Sequence, residues 1–156
     1  MAPALEGPTV GGAPFSLKKL LAEKKPKETW VLFWATWCPP CVFELPELDR
    51  LWSELKGQGF ELVTVNEENM NPDMAWAKGL PDYIRMRNLS FVVVDDADGK
   101  IAQSWPVEGK LPTLFRLDGE GRIVAQEIGF SEKIFREREE SLRKRLGSSG
   151  KKPKKK

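Results

Sequence analysis

The sequence predicts an α/β sandwich in which helices cover both faces of a mixed central sheet. Three observations predict it. Trp30-Val31-Leu32-Phe33-Trp34 and Phe91-Val92-Val93-Val94 are unbroken apolar runs of strand length, the pattern of strands buried on both faces. These runs alternate with helical patterns in the order strand, helix, strand, helix, strand, which builds parallel pairs. Further on, Thr113-Leu114-Phe115-Arg116-Leu117 and Arg122-Ile123-Val124-Ala125 flank Asp118-Gly119-Glu120-Gly121, a hairpin signal that makes the sheet mixed.

Each element has a local reason. Residues 1–14 are rich in Gly, Pro and Ala and read as an extended arm, flexible over 1–9, ahead of a domain spanning 10–147. Ser16 is placed to cap a short helix, Leu17–Lys24, which Pro26 ends. The first core strand follows, and then a long amphipathic pattern over 39–56, stopped by Gly57 and Gly59. Phe60-Glu61-Leu62-Val63-Thr64-Val65 is the second strand. Residues 72–87 read as helix with a break at Pro81. The third strand ends in a turn over 95–99. Ser131 starts a last amphipathic helix that Gly147 ends, and 148–156 read as a disordered basic tail.

Composition excludes more than it asserts. A chain of 156 residues suits one domain. At that size it buries roughly two-thirds of its unfolded surface, so it needs no disulfide staples. There is no His, which excludes Ser-His and Cys-His catalytic pairs and His-containing zinc sites within one chain. The two Cys, Cys38 and Cys41, exclude a four-thiolate metal site. No metal and no cofactor is therefore expected. The net charge of +2 includes five tail lysines; without them 20 basic residues face 23 acidic ones. The body is mildly acidic and carries no footprint for nucleic acid. Asp95-Asp96-Ala97-Asp98-Gly99 resembles the start of a calcium loop. With Gly99 at the sixth position, however, Val94 and Trp105 fall at the first and twelfth, and both ligand positions fail. The Glu/Arg/Lys-rich run over 132–145 reads as a solvated helix face. No run approaches the ~18 apolar residues of a membrane span. The start lacks a basic segment followed by an apolar run, so the expectation is either a cytosolic protein or a chain without its export segment.

Cys38-Pro39-Pro40-Cys41 lies between the first buried strand and the long helix. That placement puts Cys38 at or next to the N-cap and Cys41 in the first turn, close enough for the sulfurs to bond. A helix N-terminus carries roughly half a positive charge and favours thiolate over thiol. Cys38 is therefore expected as the exposed nucleophile and Cys41 as the resolving thiol. The alternatives are a static disulfide, an inert pair of core thiols, or metal binding between chains. Neither Pro39 nor Pro40 has a backbone N–H, so two donors that could stabilise the Cys38 thiolate are missing. Weaker thiolate stabilisation disfavours the reduced form, which predicts a reductant rather than a strong oxidant near about −120 mV.

The segment Trp30-Val31-Leu32-Phe33-Trp34-Ala35-Thr36-Trp37-Cys38-Pro39-Pro40-Cys41, with Glu44 and Pro46 after it, resembles the thioredoxin superfamily, and within it the TlpA/ResA-type thiol–disulfide oxidoreductases. Residues 111–123, from Leu111-Pro112-Thr113 to Ile123, resemble the second half of that pattern. The resemblance covers about residues 10–145 and implies a thioredoxin-like three-layer sandwich and disulfide exchange with disulfide-containing partner proteins. It further implies an extracytoplasmic setting, periplasm or outer face of the cell membrane, often in cytochrome c maturation, with electrons from a membrane thiol carrier. It also implies that the Leu111–Pro112 bond is cis, where an isolated X-Pro bond would be trans. The exposed Leu111 backbone would then pair with an extended substrate segment. Leu32 stands where cytosolic thioredoxins carry a buried acid.

Glu44 is the candidate to replace that acid. At about 100° per residue, Leu45, Leu48, Leu51, Trp52 and Leu55 fill an apolar arc that also contains Glu44, one turn after Cys41. A carboxylate there should have a raised pKa and could take the Cys41 proton. The alternative is a side chain whose head reaches water. Trp37 and Phe43 are candidate substrate contacts, with core packing as the alternative for Trp37. Phe43 falls on the polar side of its helix. Peroxidase chemistry is not expected, because Ala35 and Val31 stand three and seven residues before Cys38 where a peroxiredoxin carries Thr or Ser and Pro. The expectation is a monomeric reductant of protein disulfides. An oxidase or isomerase, or a binding module of chaperone type with slow turnover, is the alternative.

Overall fold

A computed structural model describes residues 1–147; the expectation of a disordered tail over 148–156 lies outside the described residues. The chain runs β1 (Glu6–Pro8), β2 (Pro14–Ser16), α1 (Leu17–Lys24), β3 (Glu28–Trp34), α2 (Pro39–Leu55) and β4 (Phe60–Asn66). It continues through α3 (Leu80–Met86), β5 (Val92–Asp95), α4 (Lys100–Ser104), β6 (Thr113–Leu117), β7 (Ile123–Ile128) and α5 (Glu132–Gly147). Five strands form the central sheet in the order β5-β4-β3-β6-β7. β3, β4 and β5 are parallel neighbours, while β6 runs antiparallel to both β3 and β7.

All seven residues of β3 are buried, because alternate side chains enter different layers. Trp30, Leu32 and Trp34 pack on one face with Leu45, Leu48, Leu51 and Leu55 of α2 and Phe135, Leu142 and Leu146 of α5. Val31 and Phe33 pack on the other with Val63, Val65, Phe115, Leu17 and Trp105. Each such side chain contributes about 1.5–3 kcal/mol on burial. The contact between α5 and the base of β3 is also polar. Arg145 grips the Glu28 carboxylate with Nε and Nη2 at 2.7 and 2.9 Å, and the Trp30 indole N–H donates to the same group at 2.7 Å. This fixes the rotation of α5 about its axis.

Local chemistry explains the boundaries. The Ser16 hydroxyl accepts from the Lys19 N–H at 3.2 Å and caps α1. Asp118 Oδ1 accepts from the Glu120 and Arg122 N–H groups at 2.9 and 3.0 Å and closes the β6–β7 turn.

Two expectations are corrected, and one short helix is added. Residues 5–9 are not a loose arm. Leu5 is buried, Glu6–Pro8 pairs with β2, Thr9 lies opposite Val94 of β5, and the Val10 N–H donates to the Val93 carbonyl. Pro81 does not break a helix but stands in the first turn of α3, where its missing N–H costs nothing. The residues before it form 3₁₀ turns at Glu68–Met70 and Pro72–Met74. The 95–99 turn continues into α4, whose first N–H groups are held by Asp96: Ile101 and Ala102 donate to its carboxylate at 3.1 and 3.0 Å.

Candidate active site

The buried β3 ends at Trp34, and four residues later Cys38 is the N-cap of α2 in extended conformation. Pro39 and Pro40 fill the first helical positions, where proline's fixed φ suits the helix and no intrahelical donor is lost. The Cys41 N–H donates to Cys38 Sγ at 3.3 Å. The two residues are joined as a disulfide with a Cα–Cα distance of 5.3 Å. Cys38 retains 5% of its surface and Cys41 none. Cys38 is thus the outer sulfur, though far less open than an exposed nucleophile. Pro46 lies inside α2, where the Val42 carbonyl loses its helical donor.

The segment between β3 and Cys38 is strapped down from β4's side. The Thr36 N–H donates to Glu68 Oε1 at 2.9 Å and its hydroxyl to Oε2. Glu68 is itself held by its N–H, which donates to Asn66 Oδ1 at 3.1 Å. Trp37 is half-buried and packs against the core, whereas Phe43 is 68% exposed. The Leu111–Pro112 bond is cis. Thr113, the next residue, pairs with Phe33, one position from the end of β3, so this bond and the dithiol lie at the same end of the sheet. The Pro112 carbonyl accepts from the Gly129 N–H at 2.9 Å.

Glu44 is fully buried, and its head does not reach water. Its Oε2 lies 3.4 Å from Arg138 Nη1, and its Oε1 has no hydrogen-bond partner. Burial pushes its carboxyl up to about 7; the Arg138 charge opposes that rise and the Glu127 carboxylate adds to it. Leu32 is buried in β3, and the acid of that strand, Glu28 at its start, is held by Arg145. Another acid is perturbed at the end of β4. Glu67 is pushed up to about 9 by burial and by the neighbouring Asp96 carboxylate, while Asn69 Nδ2 donates to it at 2.8 Å.

Sequence reasoning missed Arg138, Glu127 and Glu68. The 132–145 run is solvated over most of its length, as expected, but not throughout. Arg138 is 8% exposed and Arg145 holds the buried Glu28. A signal existed. The buried residues of α5 are Phe135, Leu142 and Leu146, and Arg138 falls three residues after the first and four before the second, on the apolar stripe. Among the described residues, no cluster of His, Cys, Asp and Glu could hold a metal ion. No described helix is long and apolar enough to cross a membrane.

A Cys-x-x-Cys pair at the head of the helix that follows the central strand of such a sheet defines the thioredoxin-like class. More particularly, the chain belongs to the AhpC/TSA family, which its residues 1–126 match. It is 33% identical over 109 residues to the thiol-disulfide oxidoreductase ResA of Bacillus thuringiensis strain Al Hakam, an alignment covering 70% of this chain and 59% of that protein. It is 31% identical over 105 residues to the sporulation thiol-disulfide oxidoreductase A of Bacillus subtilis strain 168, covering 67% and 61%. The chain thus spans about three-fifths of these relatives' length. Among solved structures, a thiol:disulfide interchange protein of the thioredoxin family from Chlorobium tepidum superposes with a TM-score of 0.71 at 26% identity, covering 94% of this chain and 95% of that one.

Proposed function

We propose that this chain is a thiol–disulfide oxidoreductase that reduces disulfides in partner proteins. The observation that carries the reading is the Cys38–Cys41 disulfide at the α2 N-terminus, with Cys38 retaining a small exposed fraction and Cys41 fully buried. In the reduced protein the Cys38 thiolate attacks a partner disulfide, and one partner sulfur leaves. Glu44 takes the Cys41 proton, and the Cys41 thiolate attacks Cys38 Sγ. The second partner sulfur leaves, so two electrons pass to the partner and the Cys38–Cys41 bond forms. A raised carboxyl close to neutral pH suits Glu44 to this exchange.

The direction of the couple is supported by Pro39 and Pro40. The Cys41 N–H donates to Cys38 Sγ, and the intervening residues have none to offer. Trp37, Phe43 and the backbone at Leu111 and Pro112 would receive the partner as an extended segment. The resemblance to TlpA/ResA-type oxidoreductases suggests an extracytoplasmic setting, a membrane thiol carrier as electron donor and a role in cytochrome c maturation; the chain would act as a monomer. The departure from the peroxiredoxin pattern at Ala35 and Val31 sets it apart from peroxidase chemistry.

The test is trapping with Cys41→Ser, which should accumulate mixed disulfides through Cys38, together with insulin reduction by the unaltered chain. Loss of turnover in Cys38→Ser and a potential well below about −120 mV are expected. A potential near that value would make the chain an oxidase. Insulin turnover equal to that of Cys38→Ser would make it a binding module.

A further inference from the structure

Arg138 makes three contacts from α5. Nη1 lies 3.4 Å from Glu44 Oε2, Nη2 donates to the Gly129 carbonyl at 3.2 Å, and Nε pairs with Glu127 of β7. Gly129 in turn donates its N–H to the Pro112 carbonyl. One guanidinium therefore joins the carboxylate beneath Cys41 to the strand end that carries the cis bond. We propose that Arg138 is a positioning residue of the exchange reaction: with Glu127 it sets the charge Glu44 carries when Cys41 must give up its proton, and it fixes Glu44 relative to the Pro112 segment. This rests on the reading of Glu44 as proton acceptor.

The argument is electrostatic. Glu44 is fully buried and its Oε1 has no hydrogen-bond partner, so its charge state is decided by a few neighbours. From α5 comes Arg138 and from β7 Glu127; on its own helix, three residues before it, stands Cys41, a thiol in the reduced form. β3 and β6 present Trp30, Leu32, Trp34 and Leu114 to this layer; the charged groups on the same face are Glu28, held by Arg145, and Arg116, in the cleft on this side. Arg138 and Glu127 also line a cleft of about 280 Å³ with Arg116, Glu137 and Arg145, on the α5 side of the sheet. In resolution, Cys41 S–H gives its proton to the Glu44 carboxylate. The thiolate then bonds to Cys38 Sγ as the Cys38–partner bond breaks, and the departing partner thiolate takes a proton. Without Arg138 the buried carboxylate would stay protonated to higher pH and could not start this step. Without Glu127 the guanidinium would act on Glu44 alone.

The two partners thus have opposite signs, which a merely structural role would not produce. The test is insulin reduction by the full chain from about pH 5 to about pH 9, with kcat and KM separated. Arg138→Met is expected to move the acid limb of kcat up by at least about one pH unit and to lower kcat at neutral pH about tenfold, with KM little changed. Arg138→Lys should recover most of the limb's position. Glu127→Gln should move the limb down; Glu127 is one-third exposed, so this variant keeps the test alive should Arg138→Met fail to fold. The proposal is overturned if Arg138→Met and Glu127→Gln move the limb in the same direction. It is also overturned, with the Glu44 reading intact, if both leave the limb in place while Glu44→Gln abolishes it. If Glu44→Gln leaves the limb unchanged, the Glu44 reading falls and takes this one with it.

Discussion

Replacing Glu44 with Gln removes one ionisation from the protein interior and little else, since the two side chains have nearly the same shape. In the native protein the carboxyl is held at about 7 against an ordinary value of 4.5. The folded state therefore keeps the proton where the unfolded chain has lost it. Stability falls as pH rises through that window and levels off above it. At about 1.36 kcal/mol per unit, the gap amounts to about 3 kcal/mol. Glu67, raised to about 9, has the same sign, but it is present in both proteins and cancels in their comparison. Measured by urea unfolding of the oxidised proteins, Glu44→Gln should gain about 3 kcal/mol on the native chain between about pH 4.5 and about pH 8. For a chain of this size that is about 6–12 °C in relative Tm. Parallel stability curves for the two proteins would refute the reasoning, because they would mean that Glu44 ionises in the fold as it does in water.

Two further outcomes follow from the rim of the site. Phe43→Ser should leave stability within about 0.5 kcal/mol, since the ring is mostly in water, yet raise KM for insulin several-fold while sparing a small-molecule disulfide; equal effects on both substrates would remove Phe43 from protein docking. Glu68→Ala should cost about 1–3 kcal/mol in urea unfolding, because it strands the Thr36 N–H and hydroxyl beside the dithiol. An unchanged midpoint would show that water replaces the carboxylate there.

What was legible in the sequence is what is written locally. The β3 run, the α2 stripe, the Asp118 turn and the placement of Cys38 at a helix start depend on neighbours within a few residues, and the structure has them where spacing put them. Leu32 and Glu44 could be read as interior because a helix angle or a strand run defines the side they face. Arg138 shows its place on the α5 stripe but not its role, because what makes a buried guanidinium tolerable is a carboxylate 94 positions away. Glu68 and Thr36 meet across 32 positions for the same reason. Pro81 misled because proline ends a helix in its middle and begins one at its start, and only the φ/ψ of the preceding residues decides between the two.

The pairing of Thr9 with Val94 and of the Val10 N–H with the Val93 carbonyl has a consequence for the molecule among its neighbours. β5 is the outermost strand on its side, and an outermost strand offers a row of unmet donors and acceptors to any extended chain that drifts by. Those few residues ahead of the first helix occupy part of that row from within. This limits where an extended segment of another protein can zip onto the sheet, and lowers the chain's own tendency to self-associate edge to edge.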